Sequence, residues 1–110
     1  MVVFVNKLTL TGPAERLEQI YEAVAEFMAA QPGLVRFQLL RSESDPAVYF
    51  NVAEWVDRES FDRARTQEKF VSGARVGEVS TGDRHICSVA FDGGPGQVRR
   101  PGRDQARQTG

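Results

Sequence analysis

The sequence has one cysteine, Cys87, and one histidine, His85, in 110 residues. A single cysteine excludes an internal disulfide, and one Cys with one His cannot build a structural zinc site within one chain. No apolar run approaches the roughly 18 residues that a membrane span needs, and the opening MVVFVNKLTL lacks a signal peptide's basic start and small-residue cleavage site. Net charge is also scarce: 14 basic against 15 acidic residues leave −1, which gives no general attraction to nucleic acid or membrane. No Walker loop, Rossmann fingerprint or metal-ligand cluster occurs, and the late GGPGQ opens no helix. The expectation is a cytoplasmic protein with no metal and no cofactor of its own.

What is present is an ordinary globular composition, 41% hydrophobic and 26% charged. A chain of this length holds one compact domain and leaves no room for separate cofactor and substrate domains. Residues 2–10 alternate, with Val2, Phe4, Asn6, Leu8 and Leu10 on one face and Val3, Val5, Lys7 and Thr9 on the other. TGPAER then turns the chain, with Thr11 or Gly12 as N-cap and Pro13 in the first helical turn. Leu17, Ile20, Tyr21, Val24, Phe27 and Met28 predict an amphipathic helix over 13–30, ended by Pro32-Gly33.

Residues 34–41 predict a second strand, SESDPA a turn, and YFNVAEWV a third strand that runs into a helix capped by Asp57. Phe61, Ala64 and Val71 give that helix a narrow apolar stripe, and Gly73 and Gly77 mark its break or end. RHICSVAF, residues 84–91, is the fourth strand. The order is β-α-β-β-α-β, the ferredoxin-like α+β arrangement, with an antiparallel sheet in the order 4-1-3-2 under two helices. The domain is expected over residues 1–91. The stretch 92–110 is rich in Gly, Pro and Arg, has almost nothing to bury, and is expected to be flexible. Its Arg99, Arg100, Arg103 and Arg107 have no interleaved aromatics, so it reads as a solvated tail and not as a nucleic-acid site.

Two features ask for more than a fold. Val3 and Val5, Val35, Phe37 and Leu39 or their neighbours, and Phe50, Val52 and Val56 predict a second apolar sheet face, which one helix layer cannot cover; a twofold partner should cover it. The other is an asparagine on an aromatic face: Tyr49, Asn51, Ala53 and Trp55 point the same way. Asn51 and Trp55 lie about 13 Å apart along the strand, with only a methyl between them. An amide at one end and an indole at the other suit a planar polyphenol, although Trp55 as a core anchor and Asn51 bonded to backbone remain the alternative. Asn6, between Phe4 and Leu8, must also find a partner, whether ligand, water or backbone. His85 is the only imidazole and so a candidate base, with Cys87 two residues away on its face. The hydroxyls of Tyr21 and Tyr49 could donate to a substrate oxygen or simply sit at the edge of the core.

VNKLTLTGP, QPGLVRFQLLRS and YFNVAEWVDRESF, in this order and spacing, resemble the antibiotic biosynthesis monooxygenase family of dimeric α+β barrels. NVAEW, residues 51–55, is similar to the Asn-x-x-x-Trp motif of the family's quinone-forming, actinorhodin-pathway branch. The resemblance implies that Asn51 and Trp55 line the pocket of an aromatic polyketide, with a pocket arginine at Arg75. It places Phe61 where that branch has a tyrosine, and Arg41 where it has a histidine. The haem-degrading branch shares Asn6, but its ligand histidine and pocket tryptophan fall near Ala74 and Arg63.

The implied chemistry is cofactor-independent oxidation of a polycyclic phenol or anthrone to a quinone by O2, catalysed by Asn51, Trp55 and Arg75. Asn6, Tyr49, Phe61 and His85 would bind substrate. A haem-binding or haem-degrading protein and a non-catalytic small-ligand-binding dimer are the competing readings.

Overall fold

The computed structural model describes residues 1–71 and 73–100, without the side chains of 68–71, 73 and 74. The side chains of Val71 and Ala74, and all of Arg103 and Arg107, lie outside the described residues.

The strands are β1 (Val2–Leu10), β2 (Leu34–Arg41), β3 (Val48–Trp55) and β4 (Ser80–Ser88), and the helices α1 (Ala14–Ala29), α2 (Arg58–Val71) and the short α3 (Gly73–Val76). All strand pairs are antiparallel, and the sheet runs β2-β3-β1-β4. This is the expected 4-1-3-2 order read from the other edge, and the fold is the ferredoxin-like α+β fold. Right-handed crossovers put both long helices on one side of the sheet.

Helix α1 follows its 3.6-residue stripe, and Leu17, Ile20, Tyr21, Val24 and Met28 are buried. Its start differs from expectation. Pro13 itself is the N-cap, with an extended ψ of 139° and no side-chain cap. The amides of Thr11 and Gly12 both donate to Val79 O, so the chain before Pro13 is tied to the residue preceding β4 and cannot begin the helix. Asp57 caps α2 as expected, its carboxylate accepting from Ser60 N at 2.8 Å. The Ser60 side chain first, and then this backbone bond, hold the Asp57 carboxyl below the usual carboxylate range. Gly33, at φ 86°, takes the left-handed turn between α1 and β2, where its missing Cβ leaves room for Ser60.

Two packed clusters fill the space between sheet and helices. One joins Phe4, Ala53 and Trp55 to Tyr21, Val24, Met28, Phe61 and Ala64; the other joins Leu8 and Tyr49 to Leu17, Ile20 and Val79.

The remaining sequence expectations are corrected by the register. A bulge between Leu34 and Arg36 reverses the alternation of β2. Phe37 and Leu39 therefore lie beside Ala53 and Asn51 on the helix side, not on the second face, which receives Leu40 and Gln38 instead. The fourth strand begins at Ser80, four residues before the expected Arg84, because it pairs with the whole of β1. Within the stretch expected to be a flexible tail, residues 92–99 form a hairpin, β5 (Asp92–Gly94) with β6 (Gln97–Arg99), turned at Pro95-Gly96 with Gly96 at φ 72°. It buries none of its own residues.

Candidate active site

The antiparallel registers align one residue from each strand into rows across the helix-facing side of the sheet. One row is Leu39, Asn51, Asn6 and Arg84, in strand order β2, β3, β1, β4. Three strand spacings make it about 14 Å long. The rows on either side are Arg41, Tyr49, Leu8 and Gly82, and Phe37, Ala53, Phe4 and Ile86. A polar stripe thus crosses an otherwise apolar face, and its two amides are deep: Asn6 is 7% and Asn51 6% exposed.

Each amide has its own surroundings. The Tyr21 hydroxyl donates to Asn51 Oδ1 at 2.7 Å, which ties α1 to β3 inside the core. Asn6 Oδ1 has no hydrogen-bond partner among the described residues, nor has the indole Nε1 of Trp55. A buried acceptor without a partner costs about 1–3 kcal/mol, which marks a place where a ligand hydroxyl would be favoured. Gly82 leaves the space beside Asn6 open, since a Cβ there would stand 3.0 Å from Oδ1.

The expected hollow between Asn51 and Trp55 is filled. Ala53 is fully buried, and Phe61 stacks on Phe4 at 5.4 Å and meets Trp55 edge-on at 6.1 Å. Trp55 is 1% exposed and acts as an anchor of the core beneath the row. Arg75 is exposed on α3, and Arg84 is the arginine that the register sets beside Asn6. Alternation in β4 puts His85 on the other face, opposite Val5, where its Nε2 lies 3.1 Å from Asp83 Oδ1. Cys87 shares that face, opposite Val3.

An open cleft of about 420 Å³ lies at the Asn51 end of the row, lined by Glu18, Tyr21, Glu22, Ala25, Leu39, Arg41 and Tyr49. Glu18, Tyr21, Glu22 and Ala25 stand at i, i+3, i+4 and i+7, so one stripe of α1 forms its wall. Tyr49 is an expected substrate-binding residue among them, and Tyr21 an expected candidate donor. The Tyr49 hydroxyl donates to Glu18 Oε2, and the Arg41 guanidinium lies 5.3 Å over the Tyr49 ring. Burial, and then the bond to Glu18, push the Tyr49 phenol above its ordinary pKa. Glu18 was the residue least legible as a site residue. Its only sequence signal is that a glutamate borders the apolar stripe of α1 on one side.

Residues 1–75 match the family model described as antibiotic biosynthesis monooxygenase. The chain belongs to this family. Deoxynogalonate monooxygenase of Streptomyces nogalater is 40% identical over 73 residues, covering 66% of this chain. The match covers 62% of the length of that curated relative. The crystal structure of SnoaB, a cofactor-independent oxygenase from the same organism, superposes with a TM-score of 0.75 at 34% identity, over 80% of this chain and 91% of that one. MhuD, crystallised with two manganese protoporphyrin IX molecules per active site, is 27% identical over 86% of this chain and 99% of that one, with a TM-score of 0.68. Among the described residues no helix of this family member is long and apolar enough to cross a membrane, and no cluster of three or more metal-ligating side chains occurs.

Proposed function

We infer that this protein is a cofactor-independent monooxygenase that oxidises a polycyclic aromatic phenol or anthrone of polyketide type to a quinone with O2. The observation that carries the reading is the buried Asn51–Asn6 pair, ranked across two central strands with one acceptor unpartnered, in a chain 34% identical to a cofactor-independent oxygenase. A planar substrate laid along the row meets amide donors where its oxygens carry charge. An electron-rich polyphenol supplies the reducing power itself: its anion passes one electron to O2, the two radicals combine, and the peroxide loses water. The protein excludes bulk water, holds the ring system and stabilises the anion.

In this reading Asn51, its oxygen held by Tyr21, turns its N–H donors to the substrate, and Asn6 accepts from a substrate hydroxyl. Arg84, exposed like Arg75 but paired with Asn6 by the register, supplies positive charge beside it. Trp55 and Phe61 support the floor, and Tyr49 forms part of the cleft wall. The active species is a homodimer acting in the cytoplasm, its subunits joined through Val3, Val5, Phe50 and Val52, which are only half-buried in the single chain.

A porphyrin pocket is the second reading, favoured by the likeness to MhuD and by Asn6. The only imidazole, however, lies across the sheet from the row. Oxygen consumption with 1,8-dihydroxyanthrone tests the choice. Quinone formation that needs O2 but no added flavin, metal or haem is expected. A tightly bound, unreacted anthrone would instead favour a ligand-binding dimer, and stoichiometric haem uptake with a shifted Soret band the porphyrin pocket.

A further inference from the structure

We propose that Glu18 is the base that ionises the substrate, held in position by the Tyr49 hydroxyl at the wall of the cleft. The proposal rests on the monooxygenase reading, which requires an anion before O2 can accept an electron but does not say where the proton goes.

The proton acceptor has to reach the substrate, and geometry narrows the choice. An imidazole is the usual choice for the task, yet the one in this sequence, His85, sits on the opposite face of the sheet, beside Asp83. Cys87 lies on that same face. Asn51 and Asn6 do not accept a proton at neutral pH, and Arg84 and Arg41 stay charged. What lines the cleft and can take a proton is a carboxylate, from Glu18 or from Glu22 one turn further along α1.

Glu18 differs from Glu22 in being fixed. One carboxylate oxygen receives the Tyr49 hydroxyl, from a side chain that is itself 2% exposed and packed against Leu8, Leu17 and Ile20. That leaves the second oxygen free to face the cleft. Tyr49 is therefore a positioning residue: its ring is buried, and its hydroxyl ties the exposed Glu18 carboxylate to the wall of the cleft. Arg41 stands over the same ring, close enough to offset negative charge at the cleft as it builds. The hydroxyl of Tyr21, on the same stripe of α1, links the cleft to the Asn51 amide below. Base and amide are thus joined through one cleft-lining residue, Tyr21, which borders the same volume as Glu18 and bonds Asn51 beneath it.

The step balances as follows. The Glu18 carboxylate takes one proton from the acidic CH2 of an anthrone, and the C–H electron pair passes into the ring and its carbonyl oxygen. O2 accepts an electron from that anion, and carbon and oxygen radicals join to form a C–O bond. The peroxide's terminal oxygen takes back the proton from Glu18. The second C–H bond and the O–O bond then break, releasing water and leaving the carbonyl. The carbon is oxidised by four electrons, O2 is reduced by four, and Glu18 ends unprotonated.

E18Q separates this role from a structural one, because the amide oxygen still accepts from Tyr49 while the side chain no longer takes a proton. Glu18 is exposed, so the variant is expected to melt with the parent protein. Oxygen consumption with 1,8-dihydroxyanthrone at neutral pH should fall about 100-fold, the usual scale of a lost general base. Deuterating the acidic carbon should slow E18Q more than the unaltered protein, since proton removal becomes limiting. In E18A, added formate should restore turnover in proportion to its concentration. E18Q within twofold of the parent rate, or a loss that neither formate relieves nor deuterium deepens, would overturn the assignment while leaving the monooxygenase reading intact. An unaltered protein that consumes no oxygen with any anthrone would remove both.

Discussion

The two faces of the sheet are built from the same strands and have opposite characters. On the helix side, Phe4, Asn6, Leu8, Tyr49, Asn51, Ala53 and Trp55 are all buried within the single chain. On the other side Val3, Val5, Phe50 and Val52 are only half-buried, and they share the face with Lys7, Glu54, Arg36, Asp83 and His85. There Arg36 pairs with Glu54 across β2 and β3. The helix face carries few polar groups, each in a special setting; the other face carries many, all near water, around an apolar centre. Polar groups on the first face are costly to bury, whereas on the second they rim a half-buried apolar surface that the proposed dimer would cover.

The largest effect that would break this contrast is expected from Val52→Asp. Val52 pairs with Val5 at the middle of the second face. An unpaired carboxylate in a buried interface costs several kcal/mol, so dimer affinity should fall by about three decades or more while the monomer keeps its fold. Sedimentation over a concentration series measures it. If the parent protein is monomeric at micromolar concentration, the partner-covered face is wrong.

Trp55→Ala probes the helix side, where the indole is enclosed by Phe61 and its neighbours. The expected loss is about 3–5 kcal/mol of stability by denaturant unfolding. Trp55→Phe, which retains most of the packing and only deletes an N–H with no partner among the described residues, should cost far less.

Asn51→Ala comes next and tests whether the polar row works or merely packs. Turnover should fall by about one to two decades, the scale of a lost hydrogen bond to a charged species at roughly 1.5–3 kcal/mol. Some stability is also lost, because Tyr21 no longer has the Oδ1 acceptor. Parallel melts and oxygen-consumption assays separate the two. A lower melting temperature with unchanged turnover per folded protein would return Asn51 to a purely structural role.

The smallest effects concern Gly82 and Tyr49. A methyl at Gly82→Ala presses on Asn6 Oδ1 and should shift the amide by a few tenths of an ångström, with about 1 kcal/mol or less of destabilisation. Substrate affinity should respond more than stability does. The Tyr49 phenol, raised in the folded state, favours folding in its neutral form; that contribution is complete below the ordinary tyrosine pKa near 10 and is lost as pH rises beyond it. Tyr49→Phe should therefore flatten the alkaline limb of a stability–pH curve. An unchanged limb would assign the alkaline loss to other groups.

Strand alternation, the helical stripe of α1 and the turn residues were legible in the chain, because each follows from local periodicity that neighbouring residues state on their own. NVAEW placed Asn51 and Trp55 on one face correctly for the same reason. Local pattern could not place Phe37 and Leu39, because one bulged residue in β2 inverts every side chain after it. Nor could it separate Asn51 from Trp55 in role: both point to the helices, but Phe61, ten residues beyond Asn51, closes over one of them.

The sequence by itself determined the ferredoxin-like order of elements, the two-faced sheet and the presence of amides where apolar side chains would be cheaper. Only the tertiary structure decided that Asn6, Asn51 and Arg84 stand in one row, that His85 lies on the wrong side of it, and that Glu18 and Tyr49 meet at the cleft. These pairs are separated by 31 to 78 residues along the chain and are joined by strand register and helix docking. Register is a property of several segments together, so no single segment's pattern carries it.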